Sequence, residues 1–417
     1  MFNNSGLSLE QAPPIEVVLR LFITGAIFGI LFCIMLFFGK DDLINIESPL
    51  TLAIVHTFTI GVMASFMLGA LFQMLPVLCG AHIKAPDILS FRVTILLIIG
   101  LIFLISAFLK GNGALYIFAS MFLGYSLLIS SYFMIKELYK IKHSNSSRGI
   151  LIATISLLVL TILAILMLLN RAEINTPFNY QYLKQMHISF GLFGWISILI
   201  ISVSFQVIEM FYVTKRYNQF YSKYLPITII SLLVIYSLAI YNKYSYILIY
   251  LIIFLIFIHA IITIHKLKNK KRAINDVSIY YWYLGMVNLI LFFIAYIFDF
   301  NIILSALFFI YYSLSIVFAM SHKIVPFLVW FHLNAKGYFD APMMHEIISF
   351  KYAKINFWLY LLSYIFYLIS FIKDEIFYIA TFFLLISFCM LLYSIYNGLE
   401  KYNYVLKYGK KMDFNFN

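Results

Sequence analysis

Residues 49–79 read PLTLAIVHTFTIGVMASFMLGALFQMLPVLC, a run without one Asp, Glu, Lys or Arg. About 20 helical residues cross the hydrocarbon of a bilayer, so a run of roughly 30 both spans it and projects beyond. The run carries His56 in its first third and closes on Phe72-Gln73-Met74-Leu75-Pro76. A second run opens at His187 and closes on Phe205-Gln206-Val207-Ile208-Glu209-Met210-Phe211. A third closes on His322-Lys323-Ile324-Val325-Pro326-Phe327. The copies lie roughly 120–130 residues apart, about the length of four membrane-spanning helices with their loops. They divide one transmembrane domain, 1–417, into three pseudo-repeats, 15–136, 149–265 and 277–398, with the patterned run as the second helix of each.

The rest of the chain agrees. It is 64% hydrophobic and 11% charged, where soluble domains carry about 25% charged residues. Apolar runs recur at roughly 15–38, 49–79, 91–110, 113–135, 149–170, 181–213, 223–241, 245–265, 277–298, 302–332, 351–372 and 375–398. Each is too long and too uniformly apolar for a barrel strand, and hydrocarbon obliges each to close its own backbone bonds as a helix. The expected fold is therefore an all-α polytopic membrane protein of twelve transmembrane helices in three four-helix pseudo-repeats. Gly25-x-x-x-Gly29 in span 1, and Gly191 with Gly194 in span 6, are placed for close helix approach.

The net charge of +12 is explained by its placement. Lys136, Lys140, Lys142 and Arg148 lie between spans 4 and 5, and Lys215, Arg216 and Lys223 follow span 6. Lys266, Lys268, Lys270, Lys271 and Arg272 follow span 8, and Lys401, Lys407, Lys410 and Lys411 fill the tail. Alternate loops hold Lys40, Lys110, Lys243 and Lys373 as near-singletons. This bias puts both termini in the cytoplasm of a bacterial inner membrane, with basic loops against anionic lipid. Membrane lipid is the expected partner and nucleic acid is excluded. The N-terminus shows no cleavable signal pattern. Cys33, Cys79 and Cys389 are scattered, which excludes a disulfide framework, an iron–sulfur site and covalently attached c-type haem.

His56 and His187 are the leading chemical candidates, at matching depth near the outer ends of their helices. Neutral imidazole is a common ligand of haem iron and copper, and two on neighbouring helices can clamp one metal. The third block has no counterpart, since Leu304 to Ala306 contains no His. A second layer, Gln73, Gln206, His322 and Lys323 with Glu209, lies about 25 Å further along, 17–19 residues at about 1.5 Å each. It suits a haem propionate, a quinone head group or protons, or it braces helix ends with Lys323 snorkelling. Met63, Met67 and Met74 read as apolar filler, although thioethers also suit Cu(I). His259 and His265, six apart, fall on opposite helix faces and form no ligand pair. His82, His143, His332 and His345 fall in or beside loops and are expected to be solvated, and Trp195 and Trp330 read as packing or interfacial anchors. No P-loop, GxGxxG, HExxH or GxSxG motif is present.

Twelve helices in three blocks, with His56-Thr-Phe-Thr-Ile-Gly-Val-Met63 leading to Leu75-Pro76-Val-Leu-Cys-Gly80 and Ala85-Pro86-Asp87, resemble subunit I of haem–copper oxidases and nitric-oxide reductases. The resemblance implies a low-spin haem ligand at His56 and, from His187-x-x-x-Gly191, a copper or non-haem metal ligand at His187. The chain departs from that pattern in three places. Span 7 lacks the paired histidines, span 10 lacks the His-x-His, and no tyrosine follows His187 by four residues. It is accordingly more similar to degenerate, NnrS-like single-chain relatives. The resemblance implies an inner-membrane redox or metal-handling protein binding haem b, with copper as a second metal, working with respiratory-chain partner subunits. The cofactor-binding set is then His56, His187, Gln73, Gln206 and His322, with His56 and His187 on metal. Two other classes fit the same residues: a small-solute or ion transporter using the inner polar layer, and a non-catalytic respiratory subunit or assembly factor.

Overall fold

The long apolar runs are bracketed by residues that start or stop helices, and the backbone obeys them. Ser48 Oγ accepts from Thr51 N at 3.1 Å with Pro49 in the first turn. Asn112, Asn179 and Asn218 cap later helices in the same way, and Ser144 closes a reciprocal box with Ser147. Caps of this kind satisfy donors that the helix itself leaves unpaired. At the other end, Gly80 and Gly111 take left-handed φ values of 72° and 61°, the conformation that closes a helix C-terminus without a Cβ clash.

In the computed structural model, which describes residues 12–272 and 276–411, twelve helices are long and apolar enough to cross a membrane. They are α1 (Ile15–Gly39), α2 (Pro49–Cys79), α3 (Pro86–Lys110), α4 (Gly113–Leu138), α5 (Asn145–Arg171) and α6 (Tyr180–Tyr212). The second six are α7 (Gln219–Ala239), α8 (Tyr246–Lys268), α9 (Val277–Ile297), α10 (Ile302–Ala335), α11 (Phe350–Ser370) and α12 (Ile376–Tyr408). The chain is an all-α, multi-pass membrane protein. Among the described residues the one extended pairing is an isolated bridge between Tyr338 and Lys411.

Some boundaries differ from expectation, for physical reasons. The helix α3 starts at Pro86, whose missing N–H is harmless in a first turn. The helix α12 runs ten residues past the expected 398 to Tyr408. Its polar end is held because Lys336 Nζ donates to Tyr402 Oη at 2.7 Å and Tyr338 Oη donates to the Leu406 carbonyl at 3.2 Å.

The three patterned helices are the most enclosed: 83% of the spanning window of α2 and of α6, and 67% of that of α10, is buried, against 33–56% for the others. Their long apolar runs are therefore interior surface. Two of them share a backbone feature. Residues 57–64 of α2 and 190–197 of α6 are π-helical, and α2 is π-helical again at 75–79, where Pro76 removes a ladder donor. Ser197 Oγ donates to the Leu192 carbonyl five residues back, at 2.8 Å, in keeping with the wider turn. The helix α10 is α-helical throughout.

The chain divides into two compact units. Of the described residues, unit I comprises 12–13, 71–272 and 283–314, and unit II comprises 14–70, 276–282 and 315–411. In unit II the Gly25-x-x-x-Gly29 face receives aromatic rings: a Cβ at Gly25 would lie 2.6 Å from the Phe66 ring and one at Gly29 would lie 2.2 Å from the Phe388 ring. In unit I, Gly194 meets Ser156 closely, whereas Gly191 makes only ordinary contact with Leu160.

Candidate functional site

The helix α2 delivers His56 two turns after its Ser48 cap and immediately before the first π-helical segment. The ring is half-buried, and its Nδ1 lies 2.7 Å from the Leu52 carbonyl. A carbonyl only accepts, so Nδ1 carries the proton and the neutral ring keeps its lone pair on Nε2. A backbone carbonyl holding the other ring nitrogen is also how metal-bound histidines are oriented. His187 is half-buried too, and stands three residues before the π-helical segment of α6. The third repeat lacks both features, having neither a histidine at the matching depth nor a π-helical turn. His56 and His322 belong to unit II, and Gln73, His187 and Gln206 to unit I.

The second layer resolves into members with different roles. Gln73 is buried, and neither end of its side-chain amide has a partner among the described residues. Gln206 is half-buried. Glu209 braces the turn after α6, its Oε1 accepting from Tyr217 N at 2.6 Å, which agrees with a helix-end role. Burial pushes the Tyr217 phenol above the ordinary tyrosine range. Lys323 does not snorkel to water. It pairs with Asp276, whose carboxylate also accepts from Ser278 N and Oγ.

His322, beside that pair in sequence, is buried. Ser387 Oγ donates to Asn356 Oδ1 at 2.5 Å, which leaves the Asn356 amide nitrogen as the group 3.5 Å from His322 Nε2. Nε2 accepts there, so Nδ1 carries the proton of the neutral ring, and it has no partner among the described residues. The Tyr281 ring lies against the imidazole with centroids 5.8 Å apart, and the buried Tyr281 hydroxyl likewise lacks a partner among the described residues. Tyr360, bonded through its hydroxyl to Ser315 at 3.1 Å, and Phe318 and Phe357 complete the enclosure. Unit II thus buries two donors that the described protein does not use.

Unit I holds a histidine cluster that sequence reasoning missed. His259 is fully buried among Phe205, Tyr217 and Tyr221. Ser204 Oγ gives its proton to the Ile201 carbonyl at 2.7 Å, so at 3.1 Å it can only accept from His259 Nε2. Nδ1 is then the acceptor and takes the Tyr221 hydroxyl proton at 3.0 Å. Thr263 joins the imidazole to the Tyr217 hydroxyl, at 3.3 and 3.0 Å. The opposite-face expectation holds, since His265 is exposed. His82 and His345 are exposed as expected, and His143 is half-buried. His332 is not in a loop: α10 continues to Ala335, and the ring is half-buried on it. Trp195, Met63, Met67 and Met74 are buried, in keeping with packing roles.

Among the described residues no three His, Cys, Asp or Glu side chains lie together as a donor set for a metal ion. The chemistry of the donors present therefore suits a group that brings most of its own ligands. Haem does so, since its macrocycle supplies four nitrogens and one or two imidazoles complete the iron. The Nε2 lone pair of His56 fits that requirement. The sequence matches no protein-family model and no curated protein.

Proposed function

We propose that this chain is a multi-pass inner-membrane haem protein, with both termini cytoplasmic, that does redox or metal-handling work. His56 is the axial haem ligand of unit II, through Nε2, and His187 is a metal ligand of unit I. Bound b-type haem would supply one-electron chemistry; the chain's own residues orient and enclose it. The observation that carries this reading is the Nδ1–H bond from His56 to the Leu52 carbonyl, which commits the ring to the ligating tautomer. The π-helical turns that follow His56 and His187, and no matching site in the third repeat, support it, because such turns frequently occur at functional sites. Copper at either imidazole would need further donors. On this reading Gln73 and Gln206 are inner polar groups of unit I, and His322 is that of unit II.

The test is a pyridine haemochrome spectrum on protein purified from cells supplied with a haem precursor. The expected result is one b-type haem per chain, lost in His56→Ala. Wild-type protein without haem would sink the reading.

A second reading, a small-solute or ion transporter, is favoured by one observation. The buried His322 and Tyr281 donors and the Lys323–Asp276 pair make unit II polar where the spanning helices are otherwise apolar. It predicts substrate uptake that survives His56→Ala and disappears in His322→Ala.

A further inference from the structure

Two basic segments of unit I are tied into one surface by their backbones. Lys266 Nζ donates to the carbonyls of Lys215 and Arg216 at 2.8 and 2.9 Å, and Lys271 N donates to the Val213 carbonyl at 3.1 Å. Arg272 Nη1 donates to the Phe211 carbonyl at 3.0 Å, and Lys270 Nζ to the Arg272 carbonyl at 2.7 Å. Val213, in the left-handed region at φ 52°, ends α6 and starts the turn that these bonds hold. Lys266, Lys270 and Arg272 thus act as braces, while Lys215, Arg216, Lys223, Lys268 and Lys271 are exposed. The one carboxylate between positions 209 and 272 is Glu209, already accepting from Tyr217 N. Glu209 also faces the Lys266 and Arg216 charges, and one carboxylate cannot balance the five exposed cations of this stretch.

The surface also falls at the ends of spanning helices. It is formed where α6 ends, α7 begins and α8 ends, and the α7–α8 hairpin returns the chain to the same membrane face. Phe220 and Tyr224, with ring centroids 4.5 Å apart and both exposed, stand at the start of α7 as interfacial aromatics do. The positive-inside bias accounts for Lys and Arg in these loops, but it operates during insertion and requires no fixed arrangement of them. Locking two segments into one patch with a large excess of positive charge goes beyond it.

We propose that this patch is a binding site for the phosphodiester of an anionic glycerophospholipid in the adjacent leaflet. Ammonium and guanidinium groups suit phosphate oxygens, and a negatively charged leaflet concentrates such headgroups beside a cluster of cations. The proposal is independent of haem.

The test uses the full chain, delipidated in detergent and exposed to vesicles of equal parts dioleoylphosphatidylglycerol and dioleoylphosphatidylcholine. Retained phospholipid is then measured by mass spectrometry. Wild type is expected to enrich phosphatidylglycerol at least fivefold, and to lose the enrichment in high salt. The variant Lys215→Gln/Arg216→Gln/Lys268→Gln/Lys271→Gln should lose it. The control Lys351→Gln/Lys354→Gln/Lys407→Gln/Lys410→Gln removes the same charge from exposed lysines of unit II and should keep it within twofold. Equal loss in both variants, no loss in either, or displacement of lipid by millimolar inorganic phosphate would overturn the proposal. So would co-purifying nucleic acid or acidic protein in place of lipid. If the first variant does not fold, the wild-type comparison decides alone: absence of enrichment is then the refuting result.

Discussion

His259 in unit I and His322 in unit II are both buried on spanning helices and both walled by aromatic rings, yet only His259 has protein partners on each ring nitrogen. Around His259 a serine, a threonine and two tyrosines close a chain of bonds in which each donor finds an acceptor. Around His322 one nitrogen meets Asn356, while the other and the Tyr281 hydroxyl have no partner among the described residues. An unused polar group in hydrocarbon costs several kcal/mol. The first cluster is therefore a finished structural knot. The second carries polar capacity beyond what folding uses, as a site that meets water or a ligand does.

The contrast breaks most sharply on His259→Phe. Removing the ring strands the Tyr221 hydroxyl and leaves Ser204 without its donor, so the variant should lose about 3–5 kcal/mol of stability by denaturant titration in detergent. A loss under about 1 kcal/mol would mean the knot is not structural. Next comes Lys323→Met, which leaves the Asp276 carboxylate buried without its cation and should cost about 3 kcal/mol. The double variant Lys323→Met/Asp276→Leu should recover most of that, and no recovery would show that the pair acts separately. His322→Phe removes a donor that the described protein does not use. It leaves one group without its partner, the Asn356 amide 3.5 Å from Nε2, and should cost about 1 kcal/mol, well below His259→Phe, while abolishing any activity that depends on unit II. Equal destabilisation by the two phenylalanines would erase the distinction drawn here.

The smallest effect concerns a ring that water can reach. Burial, then the nearby Arg148 charge, holds the His143 imidazole below its ordinary range. Below about pH 6.5 the unfolded chain binds a proton that the native ring resists. Stability from this group is therefore full above that pH and falls as pH drops toward the lower native value. His143→Gln should flatten the acid limb of the stability profile slightly, and a steeper limb would contradict the assignment.

Much of this was legible in the residues. Long apolar runs dictate helices in a membrane, and the three that carry the repeated pattern proved to be the most enclosed. His56 was readable as a ligand candidate because imidazole inside a span is unusual, but its tautomer was not, since that depends on the Leu52 carbonyl being within reach. His259 carried a misleading signal. Its spacing of six from His265 argued correctly against a pair, and said nothing of Ser204 and Tyr221, which arrive from α6 and α7. Lys323 looked like a snorkelling cation because its partner, Asp276, lies 47 residues away.

Composition and run length alone determined that the chain is helical, crosses the membrane repeatedly and places its basic residues in alternate loops. Those outcomes follow from backbone groups that must bond within each run and from charges that stay out of hydrocarbon, and both are local demands. Which imidazole is satisfied and which is left with a spare donor was decided only when distant helices packed, because a hydrogen bond depends on a partner within about 3 Å, and no spacing along the chain specifies that.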